Sequence, residues 1–314
     1  MASETTPKAL TAQEVCDGLD RQDASVASQG DRAGQCVAFL FNSPPVADPL
    51  HAFFGPLVSS ARRRAELTGA DIVLCAPASD VGIVGEDLVE RAVARGAQGL
   101  VFFGGEDGNP DVLGRRWPDL PAVFVEFDAI GGRSAHIGVD NEGAFGEVVL
   151  HLAESGRSRI ATITGFLHMR VAAERLVAYR DMLGRLGYPI RPEYIETGDF
   201  LHPSAYESTQ RLLALDTPPD AIAACCDVQA AGAIRAIEDA GLRCPEDVAV
   251  TGFDDASWAA AMSPSLTTVS QPVEEMGVRA VDMLFSMIDE PALAPPAVLL
   301  PAQLVVRASS RAPG

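Results

Sequence analysis

Two acidic side chains come directly after strand-like runs in the second half of the chain. Asp227 follows the run Ala221–Cys225, and Asp254 follows a run that ends at Phe253. Ligands of open parallel sheets bind outside the carboxyl ends of the strands, so both carboxylates stand where a ligand is expected. Asp254 and Asp255 together could form an acid/base or metal-binding pair. Capping of the next helix, or hydrogen bonding at a cleft, is at least as good an interpretation.

An arginine and an aromatic ring supply the other candidate groups. Arg175 lies near the start of an amphipathic stretch, Ala172–Leu186, beside Glu174, and Phe200 follows a predicted turn. An arginine fork and carboxylates suit the vicinal hydroxyls of a sugar, and a ring suits its apolar face. The alternative is that Arg175 only pairs with Asp181 or Glu174 on an exposed helix face, which contributes little stability. Spacing alone leaves the two interpretations even.

Enzyme signatures are missing from the sequence. A phosphate-binding loop needs GxGxxG or GxxxxGK[ST] after a strand, whereas the nearest candidate, Gly104–Gly108, has neither spacing and carries two acids. A GxSxG nucleophile elbow does not occur. The five histidines are scattered, without HExxH or a metal-ligand cluster. We therefore expect no catalysis, no cofactor and no metal.

The elements that must position these residues begin at Cys36, where short apolar runs start to alternate with helical patterns. The predicted strands are Val37–Phe41, Ile72–Ala76, Gly99–Phe103, Ala122–Phe127, Ile160–Thr164, Ala221–Cys225 and Val248–Gly252. The predicted helices are Leu57–Thr68, Leu88–Arg95, Phe145–Glu154, Ala172–Leu186, Tyr206–Leu215 and Gln229–Ala240. This alternation predicts parallel sheets with helices on both faces.

The grouping of the strand–helix units favours two lobes over one large sheet. An interruption at Asp128–Asp140 separates the earlier units from the later ones. The last third adds a strand at Leu266–Gln271, a helix at Val273–Ile288 and a strand at Leu304–Arg307. A chain that returns in this way predicts several crossings between lobes, and therefore a hinge with a cleft.

The expected division of the chain follows from this pattern. Residues 1–34 form a mobile polar tail, residues 35–155 plus 273–300 form the amino-terminal lobe, and residues 156–272 plus 301–310 form the carboxyl-terminal lobe.

Charge and compartment limit the partners. The chain has 314 residues with 43 acidic against 24 basic side chains, a net charge of −19, which disfavours binding of nucleic acid through the overall field. No signal peptide and no apolar run of the ~20 residues that span a bilayer are found. The six cysteines match neither a zinc ribbon nor a redox motif. These features predict a cytoplasmic protein with reduced thiols and no membrane contact.

Short motifs occur in a fixed order along the second half. They are Val139–Gly143, His151-Leu152, Gly156–Ala161, Glu174–Arg180, Pro218–Ile222, Gly241–Val248, Thr251–Asp255, Leu266–Val269, Gln271-Pro272 and Leu304–Arg307. In this series the chain, from about residue 36 to 310, resembles the effector-binding core of LacI/GalR-type transcriptional regulators, which are relatives of periplasmic sugar-binding proteins.

The resemblance implies a fold and a set of ligand contacts. The fold is α/β, with two doubly wound parallel-sheet lobes of periplasmic-binding-protein type I joined by three crossover strands. Two copies of the chain associate through their lobes to form a homodimer. A small effector (a sugar, or a related polyol or nucleoside) binds in the cleft, which closes on it. The implied effector contacts are Arg175, Asp254, Phe200, Glu142, Asp227 and Gln271.

Departures from the family pattern fall in the same region. The usual Asn-Asp pair is Cys226-Asp227 here, so an amide that usually reaches the ligand is replaced. A family histidine is lost at Arg157-Ser158, and a family glycine is Ala178. We therefore expect an altered ligand pocket.

The front of the chain departs furthest. These regulators usually begin with a basic helix-turn-helix, whereas about 35 residues precede the first strand here, with six acids against three bases. The expected function is a LacI-type regulator that senses an effector and contacts DNA only if a headpiece or a partner supplies the contact. The alternative is a stand-alone cytoplasmic binding module that never engages DNA; an enzyme has little support.

Overall fold

The computed structural model describes residues 32–41, 53–76, 86–103, 112–127, 131–292 and 297–311. The strands are β1 (Cys36–Phe41), β2 (Asp71–Cys75), β3 (Gly99–Phe103), β4 (Ala122–Val125), β5 (Ser134–Val139), β6 (Ile160–Thr164), β7 (Ile195–Thr197), β8 (Ala221–Ala224), β9 (Ala249–Thr251), β10 (Thr268–Ser270), β11 (Ala297–Leu300) and β12 (Gln303–Val305). The helices are α1 (Phe54–Leu67), α2 (Glu86–Ala94), α3 (Val112–Arg116), α4 (Asn141–Glu154), α5 (Arg170–Arg185), α6 (His202–Leu213), α7 (Asp227–Asp239) and α8 (Val273–Asp289).

The described chain divides into two compact units. Unit 1 holds the described residues up to Val125, residues 131–136 and residues 274–292; unit 2 holds Glu126 and Phe127, Ile137–Val273 and residues 297–311. The chain enters unit 2 after Val125 for Glu126 and Phe127 and is back in unit 1 at residues 131–136. It passes to unit 2 inside β5, returns to unit 1 after Val273, and passes to unit 2 again before Ala297.

Unit 1 is built on a parallel sheet in the order β2-β1-β3-β4. Strands β3 and β4 are buried along their whole length, as expected for a parallel sheet covered on both faces. Strand β5 lies beside β4, and β11 pairs with β5. Helix α8 comes so close to α1 that a side chain at Gly277 would overlap Ser60 and the carbonyl oxygen of Leu57.

Unit 2 is built on a second parallel sheet in the order β7-β6-β8-β9. Helix α5 is amphipathic, with Ala172, Leu176 and Leu183 buried on one face. The hydroxyl of Tyr179 on the same helix donates to the carbonyl oxygen of Ile160 at 2.8 Å, which ties α5 to β6.

The last described residues of unit 2 are joined to a distant stretch of the chain. The hydroxyl of Ser309 donates to the carbonyl oxygen of Val250 (2.6 Å) and accepts from the amide of Thr267 (2.8 Å). The hydroxyl of Ser310 lies 2.7 Å from Oγ1 of Thr267 and 2.7 Å from Nε2 of His151. These buried hydrogen bonds attach the carboxyl end to β9 and to the start of β10.

Local sequence pattern was sufficient to predict most strands of the two sheets. All seven predicted strands of the alternating series are present to within two residues. Strands β7 and β11 were not predicted, and β5 lies inside the stretch interpreted as an interruption. Helix α4 begins at Asn141, four residues earlier than predicted, because the Asp140 carboxylate caps it by accepting from the amide of Gly143 at 2.9 Å.

The observed units differ from the expected lobes at four places, and at two of them the stretch is short: Glu126 with Phe127, and Val273, lie in unit 2 and not in the first lobe. Residues 137–155 and 297–300 lie in unit 2 and not in the first lobe, since α4 packs on α5 and the amide of Asp140 donates to the carbonyl oxygen of Leu300. Of the predicted tail, residues 1–31 lie outside the described residues, as do Gly104–Gly108; residues 32–34 form a turn in which Arg32 pairs with Asp289 at 2.6 Å. No helix in the described ranges has the length and apolar character needed to cross a bilayer.

Candidate functional site

Five of the six predicted effector contacts gather at the carboxyl edge of the unit 2 sheet. Strand β6 has β7 on one side and β8 on the other, so the strand order reverses at β6. Helices that follow strands on either side of such a point leave room at the carboxyl ends, where doubly wound sheets bind ligands. The segments after β6, β7, β8, β9 and β10 carry the polar and aromatic groups of this edge.

Arg175 is the central cation of this cluster. It is 5% exposed. Its Nε donates to Oδ1 of Asn141 at 2.9 Å, and its Nη1 donates to the carbonyl oxygen of Cys225 at 2.6 Å. The guanidinium carbon stands 3.6 Å from the centre of the Phe253 ring, a cation–π contact. These contacts hold the guanidinium in one orientation, and Nη2 donates in neither of these two hydrogen bonds.

The alternative in which Arg175 pairs on an exposed helix face does not hold. Glu174 instead pairs with Arg170 at 2.6 Å and accepts from the side-chain amide of Asn141 at 3.1 Å. A buried guanidinium is costly unless its donors are used. The burial of Arg175 therefore indicates a role at the sheet edge.

Asp254 and Gln271 form a hydrogen-bonded pair beside this arginine. Nε2 of Gln271 donates to Oδ1 of Asp254 at 2.7 Å, and the amide of Asp254 donates to the carbonyl oxygen of Val269 at 2.9 Å. Burial raises the pKa of Asp254 to about 7, while the charge of Arg175 and the bond from Gln271 oppose the rise. The charge of Glu126 raises the same pKa further. Asp254 is thus a carboxyl group that changes its charge near neutral pH.

Asp227 is a predicted effector contact whose two carboxylate oxygens both accept hydrogen bonds from the protein itself. It is 1% exposed; Oδ2 accepts from the amide of Ala256 at 2.7 Å, and Oδ1 accepts from the hydroxyl of Thr268. A side chain at Gly252 would overlap its Oδ1. Burial, and then the charge of Asp254, hold the pKa of Asp227 well above its usual range. Both oxygens serve internal bonds, so Asp227 joins α7 to the segments around β9 and β10.

Phe200 lies next to the carboxyl end of β6. Its ring occupies the place that a Cβ at Gly165 would take, and its centre is 6.3 Å from that of Phe166 in an edge-on arrangement. The Sγ of Cys226 is 3.6 Å from the carbonyl oxygen of Phe200. The residue that replaces the family's amide therefore contacts the backbone that carries the ring.

Glu142 stands apart from the other predicted residues. It is exposed in the first turn of α4, whereas its neighbour Asn141 is 1% exposed and bonds to Arg175. The motif Val139–Gly143 thus contributes an amide to the cluster through Asn141, a residue that the predicted set of effector contacts did not include.

Asp255 is engaged elsewhere, which argues against an acid/base or metal pair with Asp254. Its Oδ1 accepts from Nη2 of Arg307 at 2.6 Å. Within the described ranges no group of three or more potential metal ligands occurs.

Glu126 is a cluster residue that sequence reasoning missed. It directly follows β4 and is 6% exposed; its Oε1 accepts from the amide of Val139 at 2.9 Å, whereas no described group donates to Oε2. Burial raises its pKa, and the charge of Arg175 opposes the rise. The available signal was its place, a polar residue at the end of a buried strand, as for Asp227 and Asp254.

Backbone strain marks the same residues. Among the described residues other than glycine, positive φ angles occur at Glu126 (67°), Phe200 (66°), Asp254 (123°) and Asp255 (53°). Such conformations cost of order 1–3 kcal/mol each and concentrate at functional sites. Three of the four are members of the cluster, and the fourth is adjacent to one.

Known proteins resemble the chain over most of its length. The family of periplasmic binding protein-like domains matches residues 149–310. The ribose operon repressor of Escherichia coli (strain K12) is 33% identical over 243 residues, which are 77% of this chain and 73% of that protein. The repressor PurR of Pasteurella multocida (strain Pm70) is 28% identical over 262 residues, 82% of this chain and 77% of that protein.

Solved structures give the same family. A complex of the transcriptional regulator CelR with cellobiose matches with a TM-score of 0.78 and 26% identity, over 95% of this chain and 90% of that one. A dimeric Lac repressor with a C-terminal deletion matches with a TM-score of 0.75 and 26% identity, over 88% of this chain and 100% of that one. The curated relatives are repressors and not enzymes. The chain belongs to the LacI family of transcriptional regulators.

Proposed function

We propose that the chain is a LacI-type regulator whose second unit binds a small polyhydroxylated effector at the carboxyl edge of its sheet. The effector is a sugar, a related polyol or a nucleoside. One observation carries this proposal: the buried Arg175, the Asp254–Gln271 pair and the Phe200 ring lie in one unit. Arg175, Phe200 and Asp254 stand on segments that follow strands of its parallel sheet, and Gln271 directly follows β10.

The chemistry of the cluster suits such a ligand. A guanidinium and a carboxylate hydrogen-bond neighbouring hydroxyls, and an aromatic ring covers the apolar face of a sugar or stacks on a base. Arg175, Asp254, Gln271 and Phe200 make the contacts in this proposal. Asp227 positions them, and Glu142 stays at the exposed rim.

The relatives' names are in keeping with this proposal. One is the repressor of a ribose operon, and one solved neighbour holds cellobiose. We extend the family's function to this chain: effector binding changes how it engages DNA or a partner, it acts as a homodimer, and it works in the cytoplasm, where its DNA target would be.

A panel of sugars, sugar phosphates and nucleosides, screened by thermal shift and followed by calorimetry, tests the proposal. A ligand that raises the unfolding temperature of the wild type, and loses affinity in Phe200→Ala, supports it. Failure of every compound to bind at millimolar concentration would contradict it.

The alternative function is a stand-alone binding module that never engages DNA. The acidic balance of the chain favours it. Selection of duplexes from a randomised library at physiological salt, followed by a gel shift with the enriched sequences, separates the two. A sequence-specific complex that changes with effector supports direct regulation; enrichment of no sequence, with or without effector, supports the alternative.

A further inference from the structure

Two buried acceptor atoms of the cluster have no donor among the described residues. They are Oε2 of Glu126 and Oε1 of Gln271, on side chains that are 6% and 7% exposed. The other polar atom of each side chain is already paired, with the amide of Val139 and with Asp254 respectively. Buried polar atoms almost always have partners. Two unpaired acceptors in one cluster therefore mark a place where hydrogen-bond donors are missing.

The charges around these acceptors are predominantly negative. The charge of Glu126 raises the pKa of Asp254, and Arg175 opposes the rise at both groups. Arg170 also acts on Glu126, but it is paired with Glu174 at 2.6 Å. The neighbouring Asp255 adds no net charge, because it forms an ion pair with Arg307 at 2.6 Å. An anion placed here would face the carboxyl groups of Glu126 and Asp254, with Arg175 as the cation that acts on both. Like charges brought together in this way repel each other and weaken binding.

We propose that the effector is uncharged or carries an amine, and that its hydroxyl or amine hydrogens are donated to Oε2 of Glu126 and Oε1 of Gln271. Sugar phosphates, uronates and nucleotides are then poor ligands. This inference rests on the proposed function, because it specifies the chemical class of the effector that binds at the same edge. Burial raises the pKa of Glu126, while Arg175, Arg170 and hydrogen bonds from Val139 and Asn141 oppose the rise; a burial cost of this kind favours a neutral neighbour over an anionic one.

Matched sets of compounds test the charge class directly. One set is galactose, galactosamine, galacturonate and galactose 6-phosphate; the others are ribose with ribose 5-phosphate, and adenosine with adenosine 5′-monophosphate. Calorimetry on the full chain measures each affinity. We expect that, in any set that binds, the neutral or amine-bearing member binds at least about tenfold more tightly than its anionic counterpart.

The substitution Glu126→Gln keeps the shape of the side chain but removes its charge and adds an N–H donor. We expect this variant to bind the neutral ligand less tightly than the wild type does. We also expect the difference in affinity between the neutral and anionic members of a set to become smaller. Glu147→Gln makes the same chemical change at an exposed position of α4 and serves as the control, with the gap unchanged.

Three outcomes are distinguishable. A preference for the neutral or amine-bearing member that narrows in Glu126→Gln, but not in Glu147→Gln, supports the inference. An anionic member that binds as tightly as its neutral counterpart, and is lost in Phe200→Ala, overturns the inference and leaves the proposed function standing. Binding by no member of any set overturns the proposed function, and the inference falls with it.

Discussion

The ring of Phe200 fills the space that a side chain at position 165 would need. A Cβ at Gly165 would overlap with three carbon atoms of this ring. Glycine just after β6 is therefore what allows the ring to lie against the sheet edge. The positive φ of Phe200 (66°) belongs to the same local arrangement.

Substitution of Gly165 by alanine is expected to displace this ring. Effector affinity should fall by about tenfold, while the protein stays folded, because the stacking surface moves and the rest of the cluster is untouched. Calorimetry with the best-binding sugar or nucleoside measures the change. Gly184→Ala is the matched control, since an added Cβ there meets nothing within 4 Å. Equal affinities of the two variants would contradict the role of the ring.

Removal of the polar contacts should also weaken binding. Arg175→Ala and Asp254→Ala are each expected to cost about 1–3 kcal/mol of effector binding free energy. Arg175→Ala also leaves the acceptors on Asn141 and Cys225 without their donor, so circular dichroism must first show that it is folded. Arg185→Ala, an exposed arginine on α5, is the control. If both site variants bound the effector with wild-type affinity, Arg175 and Asp254 would not be effector contacts.

The stability of the unliganded protein should depend on the charge state of Asp254. Its pKa in the folded protein is about 7, above its ordinary value of 3.8, so the folded state binds more protons than the unfolded state between these pH values. The folded state therefore loses stability as the pH rises from about 4 to about 7. Arg175 and Gln271 limit this loss, and Glu126 adds to it.

Asp254→Asn removes this titration. The melting temperature of the variant minus that of the wild type should increase by a few degrees between pH 5 and pH 8, as measured by calorimetry at matched ionic strength. Asp216→Asn, which makes the same chemical change at an exposed position, is the control for the effect of removing a carboxylate on the melting temperature. A difference that stays flat, or that shrinks as the pH rises, would show that Asp254 is charged throughout this range.

Asp227 is expected to act on stability more than on binding. In Asp227→Ala the buried amide of Ala256 and the hydroxyl of Thr268 lose their acceptor, which should lower the free energy of unfolding by about 2–4 kcal/mol in urea titrations. Asp227→Asn should cost less, because its carbonyl oxygen still accepts one bond. A substitution to asparagine that abolishes effector binding without loss of stability would instead place Asp227 in contact with the effector.

Local pattern was enough to predict the sheets of the two units. Gly99–Phe103 is a continuous apolar stretch and Ile160–Thr164 is rich in β-branched residues. Both lie between helical periodicities, a pattern that is typical of buried parallel strands. Strand β7 has three residues, Ile195–Thr197, of which none is buried, and so it carries no comparable signal. Strand β5 was missed because its buried part contains His136 and Gly138, which interrupt an apolar run.

The site was predictable in part, for a similar reason. Asp227 and Asp254 were predicted because each follows a strand. This position does not reveal whether a carboxylate faces a ligand or accepts hydrogen bonds from the protein itself. The difference between Glu142 and Asn141 is one residue of helical rotation, about 100°, and a sequence motif does not fix which of the two points toward Arg175. To predict Glu126 as a site residue, one would have to know that the residue after β4 belongs to the same unit as β6 and β8, although β4 itself does not.

The attachment of Ser309 and Ser310 to β9 and β10 has a consequence for synthesis of the protein. Unit 1 needs α8, whose Gly277 packs against α1, so it is completed only after residue 289 has been made. Unit 2 is completed later still, when Ser309 reaches Val250 and Thr267. Domains fold as units while the chain leaves the ribosome. The cluster residues, all made by residue 271, therefore wait for about forty more residues, roughly two to eight seconds at ordinary translation rates, before their sheet edge is fully supported.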